Sequence, residues 1–278
     1  MKKNSQYFDG RKDINKIGAG DSYYIANFIK SEKTDLFKNL LNEVQFEQMF
    51  NISPNKDVYP LPRLVSAQTF YDDAKGTPIY RMPGCNEANI KTKPWTKTVK
   101  YIRDKASELL GQEFNHCVIG LFRDENDSLA YHKDKLLDLE PNSVIISVSF
   151  GASRPIIFKS EKDDSEQIIL LRPGSMLVFG QDTNHKYKHT IGKLDTQTDA
   201  RISLSFRTVN TKVLNGEIVG QGNDYQCTNY PFIKSFDDES EYTDEMKAKI
   251  KMYQDKAQSD IIRIKNAIDL DDSIDTDV

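Results

Sequence analysis

The stretch that decides the fold lies between residues 114 and 209. It reads HCVIGLF (116–122), SLAYHKD (128–134), VIISVSF (144–150), PIIF (155–158), QIILL (167–171), SMLVFG (175–180), a His-containing run, and RISLSFRTV (201–209). Each run is short and rich in β-branched or aromatic residues, and Gly151, Pro173-Gly174 and Asp-rich joints separate them, which is how strands joined by turns read. Many short strands at close spacing predict an antiparallel double sheet. The expected fold is α+β, with a double-stranded β-helix (jelly-roll) core, N-terminal helices packed on it and a C-terminal helical tail.

The last of these strands carries the most information. In Arg201-Ile202-Ser203-Leu204-Ser205-Phe206-Arg207 the even positions are apolar, while the odd ones are Arg, Ser, Ser and Arg. Alternate residues of a strand point to opposite faces, so one face is greasy and the other cationic. Such a strand commonly lies at a surface with its polar face in water. Inside a double sheet, paired guanidinium groups would need anions, and a small dicarboxylate would meet that need through bidentate salt bridges.

Outward from this block, residues 13–50 read as a short strand entering a helix, with Thr34 as N-cap and Leu36, Phe37, Leu40, Leu41 and Val44 at helical spacing. Residues 58–89 read as loops and short strands punctuated by Pro and Gly, with Phe70, Tyr71 and Tyr80 exposed. Lys93-Pro94-Trp95 opens a helix that runs to Leu110. Beyond Asn210 the chain turns Gly- and Asn-rich, then acidic, with a helix over 245–268 and a frayed end over 271–278. The expected organisation is an N-terminal strand and helix scaffold (1–55), a segment of loops and short strands with its supporting helix (56–112), the jelly-roll strand core (113–210) and an acidic C-terminal extension with one helix (211–278).

Composition bounds the class. The 278 residues are 38% hydrophobic and 29% charged, ordinary for a globular chain and wrong for collagen or wholesale disorder. No apolar run approaches the roughly 18 residues of a membrane span, and no apolar segment follows Lys2-Lys3. Cys85, Cys117 and Cys227 are widely spaced and odd in number, which points away from a disulfide framework or zinc and toward the nucleus or cytoplasm. The net charge of −4 conceals an asymmetry: residues 236–278 hold 13 acids against 6 bases, so the rest carries +3. A monomer without membrane contact is expected.

Candidate chemistry begins at His132-Lys133-Asp134. On an extended strand, residues i and i+2 share a face, so this imidazole and carboxylate can grip one cation. A second histidine, His185 or His189, could complete two His and one carboxylate, the set that leaves open positions on non-haem Fe(II). His-x-Asp alone is weak evidence. The plain alternative is a surface pair, with both later histidines in a polar loop.

Taken in order, these pieces resemble the AlkB family of Fe(II)- and 2-oxoglutarate-dependent dioxygenases, in particular its nucleic-acid alkylation repair branch. The pieces are Pro62-Arg63-Leu64, Lys93-Pro94-Trp95, Phe114-Asn115, Phe122-Arg123 before Asn126-Asp127-Ser128, His132-x-Asp134, Ser147-x-Ser149-Phe150-Gly151-Ala152, His189 and Arg201-x5-Arg207. The resemblance implies His132, Asp134 and His189 as the catalytic metal ligands, leaving His185 as a neighbour. It implies Arg201, Arg207 and Ser203 as co-substrate-binding residues, with Arg201 on the far carboxylate of 2-oxoglutarate and Arg207 ordering the co-substrate end of the site and contacting metal-side carboxylates. It further implies that O2 and 2-oxoglutarate are consumed, succinate and CO2 released, and a methyl group hydroxylated and shed as formaldehyde. The implied partner is alkylated DNA or RNA, its flipped base stacked on His132 with Tyr80, Arg63 and Leu136 around it. Lys91, Lys93, Lys97, Lys100, Arg103 and Lys105 form the best local patch for phosphate, or else a solvated helix face.

Five positions depart from the pattern, two of them mildly: Ser203 and Ser205 stand where nucleic-acid demethylases commonly carry Asn and Thr. Gly120 and Phe122 stand where many members carry an Asn and a Tyr that hydrogen-bond 2-oxoglutarate, and each such bond to a charged group is worth about 1.5–3 kcal/mol. Tyr131 and Tyr187 are candidate replacements. Leu136 stands where base-repairing relatives often carry an acid that reads an exocyclic amine. Two other readings therefore stand beside nucleic-acid demethylation: hydroxylation of a protein or small molecule on the same scaffold, and a non-catalytic nucleic-acid-binding relative.

Overall fold

The computed structural model describes residues 5–30, 33–53, 55–71, 74–80, 92–222 and 242–275, with side chains to 268. Cys85, Cys227 and Lys91 lie outside the described residues. Among the described residues, seventeen strands and four helices follow in order. They are β1 Ser5–Phe8, β2 Ile14–Ile17, β3 Ser22–Ile25, α1 Lys33–Glu43, β4 Glu47–Ile52, β5 Val58–Thr69, β6 Thr77–Pro78, β7 Thr92–Pro94, α2 Lys97–Leu110, β8 His116–Phe122 and β9 Leu129–His132. Then come β10 Ile145–Gly151, β11 Arg154–Ser160, β12 Glu166–Leu171, β13 Met176–Phe179, α3 Gln181–Lys186, β14 Tyr187–Ile191, β15 Arg201–Arg207, β16 Lys212–Leu214, β17 Glu217–Val219 and α4 Asp244–Asp275.

Two mostly antiparallel sheets carry the molecule. The larger has the order β2-β3-β13-β10-β15-β8-β5-β4 with β7 joined to β5, and the smaller has the order β1-β12-β11-β14-β9. The alternation in 201–207 takes a central place rather than a surface one, because β15 is flanked by β10 and β8 on its two sides. Ile202, Leu204 and Phe206 are fully buried on one face, packed with Ile146, Val148 and Phe150 of β10 and Cys117, Ile119 and Leu121 of β8. That core is closed from outside by α1 (Leu36, Phe37, Leu40, Leu41), α2 (Val99, Ile102, Ala106) and α4 (Ala257, Ile261, Ile264). The opposite face of the large sheet turns to the small sheet, where Leu177 and Phe179 meet Ile156, Phe158, Ile169, Leu171 and Ile191. Three layers result, and the polar side of β15 lies between the sheets.

Several elements differ from expectation. The sheets are not confined to residues 113–210: β3 extends β13, and β1 pairs in parallel with β12, so the N-terminal segment is woven into both layers. Helix α1 starts at Lys33, which places Thr34 inside it. The second helix starts at Lys97, because residues 92–94 pair in parallel with Ala67–Thr69 and Pro94 holds Lys93 extended. Gly111 in the left-handed region stops that helix, its N–H bonding Ser107 O. The run before β14 is in part the short helix α3. At the C-terminus α4 folds back on the body: Met246, Ile250 and Tyr253 cover Phe50 and Val58, and Arg123 Nη1 meets Asp260 at 3.2 Å.

At the end of β10 the backbone requires a glycine. Gly151, at φ +79°, ends β10 with a position where a Cβ would sit 2.3 Å from Ala200 O and 2.8 Å from the Phe37 ring. Truncating the core that β15 builds has a definite expected cost. Phe206→Ala removes a fully buried ring that stacks with Trp95 and Phe114, and should lower unfolding free energy by about 3–5 kcal/mol in urea titration.

Candidate active site

The inward faces of the two sheets enclose a cavity of about 380 Å³. The large sheet contributes Val118, Gly120, Phe122, Ser147, Ser203, Ser205 and Arg207 to its wall, and the small sheet contributes Phe158, His189 and Ile191. His132 and Asp134 complete one side. Serine and glycine on the middle strands leave space that larger residues would fill.

His132, Asp134 and His189 each offer a ligand atom, all within 4.8 Å of one another. The geometry follows from pairing: β9 and β14 are antiparallel neighbours, and His189 lies directly opposite His132, the rings 4.1 Å apart. His132 Nδ1 lies 2.9 Å from Ala130 O and Nε2 lies 3.4 Å from Asp134 Oδ1, so the backbone contact fixes the ring with Nε2 turned toward the carboxylate. His189 is pressed edge-on against Phe179 at 5.0 Å. Burial, then the proximity of His132, pushes its imidazole down to about 3, so it is neutral and able to ligate at physiological pH. His185 is exposed on α3 and is not one of the clustered ligands.

Arg207 Nη2 donates to Asp134 Oδ2 at 2.6 Å. Burial works to raise the Asp134 carboxyl, but the Arg207 charge and the His132 contact outweigh it and hold the group well below the usual carboxylate range. The same guanidinium covers the Tyr80 ring at 4.5 Å. Tyr80 is therefore buried rather than exposed, beside His116 and with its hydroxyl pushed up by burial.

Arg201 is fully buried, Nη2 donating to Ser149 Oγ at 2.9 Å and to Ser203 Oγ at 3.3 Å, while Nε and Nη1 find no acceptor among the described residues. Burial, then the like charge of Arg154, pushes it down to about 9, which still leaves it cationic at neutral pH. An uncompensated guanidinium in this position calls for an anion. The Phe122 ring lies against both Arg201, at 5.2 Å, and Arg154, at 5.7 Å. The ring that takes the place of a hydroxyl donor thus stacks on two cations. Neither Tyr131 nor Tyr187 lines the cavity, so neither replaces that donor there.

Arg63 lies on the cavity wall, its stem near Gly120, where a Cβ would be 3.9 Å from Arg63 Cδ. Leu136 is not on the wall: it packs, half-buried, against the cluster that contains Tyr80. The lysine-rich patch is badly placed. Helix α2 sits on the helix-covered face of the large sheet, opposite the cavity. Lys93 is paired with Glu47, and Lys100 and Arg103 with Asp104, which favours a solvated face over a phosphate track. Arg154 was not singled out from the sequence. It donates to the backbone oxygens of Asp124, Asp127 and Gly192, loops that no local pattern brings together.

A sequence profile of the 2OG-Fe(II) oxygenase superfamily matches residues 21–207. The chain belongs to that superfamily. Among its relatives, the human DNA oxidative demethylase ALKBH2 is 30% identical over 199 residues, 68% of this chain and 73% of that one. The mouse ALKBH2 is 28% identical over 196 residues, 67% and 79% of the two chains. The rat alpha-ketoglutarate-dependent dioxygenase alkB homolog 3 is 26% identical over 194 residues, 66% and 62%. The protein is an AlkB-like dioxygenase, and its family uses Fe(II), 2-oxoglutarate and O2. The residues present fit that set: three clustered ligands for the metal, and a buried arginine with unpaired donors for a carboxylate. Among the described residues, no helix is long and apolar enough to cross a membrane.

Two measurements on metal-free protein follow. Arg207→Met leaves Asp134 buried without its cation and should cost about 3–5 kcal/mol in urea unfolding, with Asp134→Asn in the same background recovering part of the loss. His116 is buried, and burial followed by the Arg207 charge pushes it down to about 3 from 6.5. Below pH 6.5 the unfolded chain therefore takes up a proton that the fold refuses, and stability falls as pH drops toward 3. His116→Gln should abolish about 2 kcal/mol of the stability lost between pH 7 and pH 5.

Proposed function

We propose that this AlkB-like dioxygenase oxidatively demethylates N-alkylated bases in nucleic acid, with DNA as the first substrate to test, on a jelly-roll core. The observation that carries the reading is the His132–Asp134–His189 cluster opening onto a largely apolar cavity between the sheets. The similarity to proteins named as DNA oxidative demethylases supports the choice of substrate class.

In this reading His132, Asp134 and His189 hold Fe(II), which, when bound, supplies the oxidising chemistry with O2 and 2-oxoglutarate. The chain does the rest. Arg207 keeps Asp134 ionised and fixed in direction, so the ligand set needs no rearrangement to receive a cation. Arg201, with Ser149 and Ser203, holds the far carboxylate of 2-oxoglutarate, and the unpaired Nε and Nη1 are the donors available to it. Phe158, Phe179 and Ile191 exclude water from the metal side. A flipped base would lie against His132, with Tyr80 and Arg63 on the neighbouring wall, its unstacking from the strand costing a few kcal/mol.

The test is succinate release by protein supplied with Fe(II) and 2-oxoglutarate under air, with and without single-stranded oligonucleotides carrying N-methylated bases. Succinate and formaldehyde should rise with the methylated strand, fall with added salt and vanish in His132→Ala. Succinate indifferent to every oligonucleotide would refute nucleic-acid demethylation. Arg201→Ala should raise the KM for 2-oxoglutarate by roughly 10- to 150-fold, the equivalent of losing hydrogen bonds to a charged partner.

A further inference from the structure

Asn184 holds both polar ends of the Asp134 residue. Its Oδ1 accepts from Asp134 N–H at 2.8 Å, and its Nδ2 donates to Asp134 C=O at 2.8 Å. Asn184 is 2% exposed and fifty residues away in sequence. Strand β9 ends at His132, so its ladder with β14 stops short of Asp134. A primary amide presents a donor and an acceptor side by side, as a neighbouring strand would, and one side chain supplies both bonds.

The helix that carries Asn184 is itself tied down. The Asp21 carboxylate accepts from Asp182 N at 2.8 Å and from Thr183 N at 3.2 Å, and Ser22 Oγ accepts from Gly180 N at 2.9 Å. From the other side, Lys133 Nζ donates to His185 O at 2.6 Å. Strand β14 starts as α3 ends, and His189 is its third residue. Asn184 therefore joins the segment bearing His132 and Asp134 to the segment bearing His189.

We propose that Asn184 is a positioning residue of the metal site. By fixing the Asp134 backbone it sets the direction of the carboxylate and keeps the three ligand atoms within one ion's reach before a metal arrives. The inference rests on those three residues being the ligands. A residue serving only to satisfy its own buried amide would stabilise the fold without affecting metal affinity. Outer partners of ligands typically change metal affinity 10- to 100-fold when removed.

The experiment is anaerobic titration of metal-free protein with Co(II), read by its visible absorption, alongside thermal unfolding of the same metal-free samples. Wild type, His132→Ala, Asn184→Ala, Asn184→Ser and Ile102→Ala are compared. Asn184→Ala should bind Co(II) roughly 10- to 100-fold more weakly, with an altered absorption band. Asn184→Ser, too short to span both groups, should weaken binding similarly and serves if the alanine variant gives little folded protein. Ile102→Ala, which removes a fully buried side chain of α2 on the face of the large sheet away from the cavity, should lower Tm and calibrates what a purely structural loss does to affinity. The proposal is overturned if folded Asn184 variants bind Co(II) within twofold of wild type, or if their loss of affinity only matches that of Ile102→Ala at equal loss of Tm. If wild type and His132→Ala bind alike, the ligand assignment beneath the proposed function has failed instead.

Discussion

The contact on which the site depends is the buried pair between Arg207 and Asp134. Arg207 ends the central strand of the large sheet, and Asp134 follows the edge strand of the small one, so the pair joins the two layers where the cavity lies. Two charges removed from water attract strongly only when geometry and further hydrogen bonds satisfy them. Here Tyr80 takes up the face of the guanidinium and His132 the second carboxylate oxygen. Everything polar on the inner face of β15 is tolerable because it faces a functional cavity rather than a closed core.

Much of this was legible before the structure. Apolar and polar residues alternate through 201–207 because one face meets helices and the other meets the site, and that requirement is written directly in the order of the residues. His132 and Asp134 are two apart on an extended segment, so their shared face follows from strand geometry alone. The choice between His185 and His189 did not follow from spacing. It depends on which residue lies opposite His132 once β9 and β14 pair, a relation across 57 positions that only register fixes.

Other features were misread for physical reasons. A Pro- and Gly-rich context made Tyr80 look exposed, yet a guanidinium from a distant strand covers its ring. The basic run over 93–105 reads alike on either side of a sheet, and the packing of Val99 and Ile102 places it on the side away from the cavity. Arg154 gives no local sign of burial, since its hydrogen-bond acceptors are backbone oxygens of remote loops. The sequence shows which side chains are present, but the environment of a buried cation is assembled from the whole fold.

The facing arrangement of His132 and His189 has a mechanical side. Strand β9 lies at the edge of the small sheet and is held to β14 by a short, irregular ladder. An ion held by both histidines would act as an added rung across that ladder, coordinating bonds standing in for backbone hydrogen bonds. Cofactor loading and the closing of a sheet margin would then be a single event, and the most weakly paired strand near the cavity would be firm when the protein is equipped to react.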